Sequence, residues 1–171
     1  MGAPAGGAAK PAPNGGEVLL QKVPQGFKVA SQQASADAQV QELIPGDQTL
    51  DNWTEMVTTQ IFFGKGGWAS EKVVALIADQ VAAACPDLRR GTPVQSQANN
   101  YTTTFLVLQC PNNPKTNKPE YIFLRGIQGK DSFYTIEMAY RTPPRKGDPD
   151  TPDTYLTAIK LCDTRSKDHP C

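Results

Sequence analysis

The chain has 171 residues and a mass of 18.5 kDa, a length that fits one domain with a core of its own. Its 17 basic side chains balance 17 acidic ones, a formal net charge of zero that argues against a general nucleic-acid binder and a polybasic membrane-surface role. Mean hydropathy is −0.44 and no apolar run approaches the roughly 20 residues of a spanning helix, so no transmembrane segment is expected.

In chain order, the first sixteen residues come first, and thirteen of them are Ala, Gly or Pro. Such a composition buries too little surface to offset ordering entropy, so residues 1–16 read as a disordered tether and 17–171 as a single globular domain. The start lacks the cationic and apolar regions of a signal peptide, so export would follow removal of a leader. Glu17 to Val23 and Phe27 to Ser31 are β-rich runs separated by Pro24-Gln25-Gly26, which predicts a hairpin. Asp37 to Ile44 alternates and stops at Pro45-Gly46, a third strand. Between Asn52 and Phe63, Trp53, Met56, Val57, Gln60 and Ile61 fit a helical template. The run Val57 to Phe63 is nevertheless dense in β-branched and aromatic residues, and strand is the reading adopted.

Glu71 to Ala84 is the clearest helix, with Ser70 as expected N-cap and Val73, Val74, Ile77, Val81 and Ala84 as a core-facing stripe. Tyr101 to Arg141 predicts a three-strand meander: Tyr101–Cys110, Tyr121–Ile127 and Phe133–Arg141. Gln128-Gly129-Lys130-Asp131 makes the second connection a tight hairpin. The first connection, Pro111 to Pro119, is polar and proline-rich and is expected to project as a long loop, as is Thr142 to Thr151. Thr151-Pro152-Asp153 then supplies an N-cap, a proline at the first helical position and an acid in the first turn. The helix it opens would turn Tyr155, Leu156, Ile159 and Cys162 inward. Strands with a helix between and a helix after predict an α+β fold, an antiparallel sheet with two packed helices.

Cys85, Cys110, Cys162 and Cys171 are an even set with no C-x-x-C pair, and His169 is the only histidine. A zinc site would have to gather scattered thiolates, whereas disulfides fit an oxidising compartment. Three pairings are possible. The position of Cys85 after a helix and Cys110 at a strand end favours Cys85–Cys110, with Cys162–Cys171 pinning the tail. The export reading, periplasmic or secreted, rests on this.

A single histidine, read as an exposed tail residue, leaves Ser–His–Asp and Cys–His mechanisms without a base, and no catalytic residue is assigned. Asp148, Asp150 and Asp153 do not match a calcium loop, and Gly64-Lys65-Gly66-Gly67 lacks the phosphate-loop spacing, so neither metal nor cofactor is expected. Within 115–146, seven bases face three acids. The loops of the meander would therefore form a basic edge, with Lys115, Lys118, Arg145 and Lys146 as candidate binding residues for a protein partner.

Pro45-Gly46, Asn52-Trp53-Thr54-Glu55-Met56, Gly126-Ile127-Gln128-Gly129-Lys130-Asp131-Ser132-Phe133-Tyr134 and the ending Leu161-Cys162-Asp163-Thr164-Arg165 with Cys171 carry a resemblance. Over most of residues 40–171 the chain resembles small, leader-bearing, uncharacterised exported proteins of Gram-negative bacteria. That resemblance implies export and no particular activity. The element order also looks loosely like the PsbP-type α/β/α sandwich. The expected function is an exported non-enzymatic binding module. Two alternatives stand beside it: a secreted effector or inhibitor acting on a host or rival protein, and a small carboxylate-based hydrolase, which would require a deep pocket holding two acids with raised pKa values.

Overall fold

The computed structural model describes residues 15–143 and 151–171. Its elements are β1 (Glu17–Leu20), β2 (Phe27–Ala34), β3 (Ala38–Pro45), β4 (Glu55–Phe62), α1 (Ser70–Ala84), β5 (Arg89–Arg90), β6 (Val94–Ala98), β7 (Tyr101–Asn113), β8 (Lys118–Gln128), β9 (Phe133–Tyr140), α2 (Pro152–Ala158) and β10 (Lys160–Asp163). Strands β2, β3, β4, β9, β8 and β7 lie side by side in one antiparallel sheet, and the short β5 and β6 pair with the outer edge of β7. The fold is α+β, with the C-terminal meander β7–β8–β9 as its centre and two disulfides as staples.

Alternation along the strands divides apolar side chains between two cores. On one face Val57, Ile61, Ile136 and Met138 pack with Tyr155 and Leu156 of α2 and with Leu19 and Leu161 of the β1–β10 ribbon. On the other, Leu106, Leu108, Ile122 and Leu124 pack with Val74 and Ala78 of α1. Gly126 permits this second contact: a Cβ there would lie 2.9 Å from Val74 Cγ2 and 3.1 Å from the Phe133 ring. Ser70 does not cap α1; Ala69 takes that position, and the buried Ser70 hydroxyl instead shares a 2.7 Å hydrogen bond with Thr104 Oγ1. The helix thus turns a polar atom into the sheet and satisfies it there.

The hairpin expected from Glu17 to Ser31 does not form. β1 pairs with β10, while β2 pairs with β3 across the sheet edge. The Pro24-Gln25-Gly26 turn is real, with Phe27 N–H donating to Pro24 O at 3.1 Å, but it redirects the chain instead of reversing it. Besides its pairing with β10, β1 is anchored by the Glu17 carboxylate, which accepts from Asp131 N–H at 3.1 Å, Ser132 N–H at 3.2 Å, Tyr134 O–H at 3.1 Å and the amide of Lys130. Glu17→Ala leaves these donors of the β8–β9 turn without their acceptor, and a loss of about 1–2 kcal/mol in urea unfolding is expected. Of the expected tether, residues 1–14 lie outside the described residues. Gly16 belongs to the fold, its N–H donating to Thr164 Oγ1 at 2.9 Å and its carbonyl accepting from Thr164 N–H at 3.1 Å.

The connection expected to be a long loop from Pro111 to Pro119 is mostly strand. β7 runs on to Asn113 and β8 begins at Lys118, leaving a four-residue turn with Asn117 at φ 53°. The prolines are tolerated because the register slips between Cys110 and Asn113, so Pro111 and Pro119 fall in a bulge. Of the second expected loop, residues 144–150 lie outside the described residues. Thr151 caps α2 as predicted, accepting from Thr154 N–H at 3.3 Å. The helix stops at Ala158, however, and Cys162 belongs to β10.

Both favoured disulfides are present, Cys85–Cys110 and Cys162–Cys171, with no free cysteine remaining for zinc. His169 is buried, not an exposed tail residue. Its ring stacks on Tyr101 with centroids 4.0 Å apart, and Nδ1 lies 2.9 Å from Asn99 O. The turn Asn99-Asn100, both at positive φ, draws the tail in: Asn99 Nδ2 donates to Leu161 O at 2.9 Å and Asn100 Nδ2 to Asp168 O at 2.7 Å. Nearby, hydrogen bonds from the Arg165 side chain hold the Asp163 carboxyl down at about 2.

Candidate functional site: a polar cavity beside helix α1

Helix α1 packs against β7 and β8, which leaves the β4 and β9 part of the same sheet face beyond its cover. The strand sequences suit this division. In β4, Val57, Thr59 and Ile61 point to the α2-side core, and Thr58 and Gln60 to the α1 side. In β9, Ile136 and Met138 enter the α2-side core while Thr135 and Glu137 take the α1 side. A cavity of about 340 Å³ results, lined on the sheet by Thr58, Gln60, Thr135, Glu137 and Glu120. Ile77, Gln80 and Val81 of α1 form the opposite wall, and Cys85 and Cys110 close one end.

Glu137 sits between Thr58 and Leu124 in the register. Burial, reinforced by the charge of Glu120, pushes its carboxyl up to about 7. Among the described residues no hydrogen-bond donor or cation engages it. Glu120, by contrast, is committed: Asn113 Nδ2 donates to it at 3.2 Å, and Arg141 Nε lies 3.8 Å away. The Arg141 guanidinium also stacks 3.8 Å above the Trp53 ring. Such an arrangement can bind a polar group between a polar sheet floor and the partly apolar wall of α1. It does not present two uncommitted carboxylates facing one another.

A second, larger cavity of about 680 Å³ lies between the β1–β2 connection and α2, walled by Leu20, Val23, Pro24, Tyr155 and Ile159. Of its polar lining residues, which include Lys22, Gln25, Thr154 and Lys160, Gln21 is already spent on Tyr155 Oη at 3.0 Å and Thr59 Oγ1 at 2.9 Å.

Of the residues singled out from sequence, Lys115 is exposed in the β7–β8 turn and Lys118 opens β8, its Nζ donating to Asn52 Oδ1 at 3.4 Å. The structure brings these two to one hairpin end; Arg145 and Lys146 lie outside the described residues. Asn113 links that end to the cavity, since it lines the cavity, holds Glu120 and accepts from Lys115 N–H at 3.0 Å. Glu137 and Gln60 were missed from sequence. A usable signal was present, because Glu137 is a lone charge inside Phe133-Tyr134-Thr135-Ile136-Glu137-Met138-Ala139-Tyr140, a strand otherwise fit for burial on both faces.

No protein-family model matches the chain, and no curated protein matches it either. Among the described residues no group of three or more His, Cys, Asp or Glu is placed to hold a metal ion, and no helix is long and apolar enough to cross a membrane.

Proposed function

We propose that the chain is an exported, non-enzymatic binding module that captures a protein partner at the hairpin end of β7 and β8, with the cavity beside α1 as its receiving pocket. The observation that carries this reading is the Asn113 link, which ties the exposed lysine-bearing turn to a partly enclosed polar cavity. Export, to the periplasm or beyond, is supported by the pairing of all four cysteines in disulfides, which persist in oxidising compartments. Arg145 and Lys146 join the contact edge on sequence grounds.

The carboxylate-hydrolase reading draws on the same cavity, since Glu120 and Glu137 both line it. Binding is favoured because Glu120 is held by Asn113 and Arg141, leaving Glu137 without a second free carboxyl for acid–base exchange. An effector or inhibitor acting on a foreign protein would use the same surface, and is recognised by the presence of the chain in culture supernatant.

Reversing Lys115 and Lys118 to glutamate is expected to weaken partner capture from envelope extracts at least tenfold, with unchanged thermal unfolding because neither side chain is in a core. Equal capture by the parent and the reversed variant would remove the hairpin as the contact edge.

A further inference from the structure

We infer that the cavity beside α1 is a receptor site for an alkylammonium group, with Glu137 as its counter-ion, Gln60 and Gln80 as flanking acceptors and Ile77 and Val81 as the wall for the alkyl chain. The inference rests on the binding-module reading and names what its pocket receives. Four observations support it.

A carboxylate on the floor of a partly enclosed cavity, half-buried between sheet and helix, ordinarily has a partner, because withdrawing it from water uncompensated is costly. Among the described residues Glu137 has none. The surroundings select the sign of the missing partner. Across Thr58 on β3 lies Glu42, and β8 contributes Glu120. The α1 wall supplies Gln80 and apolar side chains without a charge. Among the described residues, cations near α1 and the hairpin end are engaged elsewhere: Arg141 is stacked on Trp53 and beside Glu120, Lys118 is bonded to Asn52, and Arg90 pairs with Asp79 of α1 at 2.7 Å. The cavity is therefore anionic at its centre, and an incoming anion would meet Glu137 and Glu120 first. Its volume of about 340 Å³ falls at the small end of ligand sites, enough for a short chain and a charged head. Side-chain amides offer carbonyl oxygens to an ammonium, which has three donors to place.

A lysine side chain of a captured protein and a free diamine share this chemistry. Both bind the ionised carboxylate, so affinity must follow its titration. With Glu137 held at about 7, ionisation rises through neutrality, and amine affinity is expected to be about tenfold greater at pH 8 than at pH 6, levelling above.

Calorimetric titration of the full chain with cadaverine, with Nα-acetyl-lysine methylamide and with neutral 1-pentanol tests this. Saturable 1:1 binding of either amine, tighter at pH 8, with no comparable binding of pentanol, is the expected result; the tighter of the two amines assigns the source. Glu137→Gln should cost at least tenfold in amine affinity and erase the pH dependence. This variant removes a partly buried, unpaired charge and is expected to fold, which its unfolding curve verifies. Should it fail to fold, Gln80→Ala takes its place, with a smaller loss expected. Absence of saturable amine binding, equal binding of pentanol, or full amine binding by Glu137→Gln overturns the inference. The two readings fail separately. Amine binding that survives in the Lys115→Glu/Lys118→Glu protein while capture is equal in parent and variant removes only the contact edge, and hairpin-dependent capture without amine binding removes only the pocket's ligand.

Discussion

Arg125→Ala is expected to destabilise the protein by about 2–4 kcal/mol, read from urea unfolding at neutral pH. Arg125 lies on β8 with its guanidinium on the α2 side of the sheet, where it is only 6% exposed. Its Nη1 donates to Ile159 O at 2.9 Å and also to Leu156 O, the carbonyls with which α2 ends. Those oxygens have no partner within the helix, because the last carbonyls of any helix point past its end. Burial pulls the guanidinium below its ordinary pKa, and among the described residues no carboxylate pairs with it. Two opposing effects therefore meet in the alanine variant. Relief from an unpaired buried charge is favourable, whereas the variant opens a cavity and strands two carbonyls under the α2 core. Charge-assisted hydrogen bonds of this kind are worth about 1.5–3 kcal/mol each, so the loss dominates. Arg125→Lys keeps the charge and a nitrogen with several donors, but its side chain is shorter and its ammonium more strongly hydrated, and an intermediate loss is expected. A change under about 1 kcal/mol for alanine would show that α2 docks through its apolar face alone.

The elements that were legible in the sequence are those whose signals are local. Thr151-Pro152-Asp153 announces a helix start through side chains within one turn, and the Gln128 to Asp131 connection announces a hairpin through its own residues. Pairings decided over long separations were not legible. Nothing near Glu17 shows that its carboxylate will cap a turn more than a hundred residues away, so the adjacent run at Phe27 was the natural but mistaken partner. His169 was misjudged for the same reason, since its burial depends on the Asn99-Asn100 turn and on a disulfide that folds the tail back. The cavity was half legible. Glu137 stands out in β9, but Gln60 and Gln80 gain meaning only when α1 leaves part of the sheet uncovered.

Removing the Cys85–Cys110 bridge as Cys85→Ala/Cys110→Ala is expected to cost about 3.5 kcal/mol, more than the about 2.6 kcal/mol expected for Cys162→Ala/Cys171→Ala. The difference follows from sequence separations of 25 and 9 residues, because the longer loop gains more freedom in the unfolded chain. Function should separate the two bridges more sharply than stability does. Cys85 is the C-cap residue of α1, its N–H donating to Val81 O, and its bond to Cys110 fixes the end of that helix on β7. Both cysteines line the cavity, and Val81 lies one turn before Cys85 on the same wall. Freed from β7, the last turn of α1 can fray, which moves the α1 wall away from Glu137 and exposes the half-buried carboxylate further to water. Desolvation, the main cause of the raised Glu137 titration, then weakens, and its pKa should fall toward the ordinary carboxylate range. The Cys162–Cys171 bridge touches none of this, since it holds the tail near Asn99 on the far side of β7. Carbon-13 titration of the Glu137 carboxyl in each variant is the deciding measurement. A drop of about one pKa unit confined to the Cys85–Cys110 variant is expected from partial rehydration, whereas equal titration in both variants would mean that α1 holds its wall without the bridge.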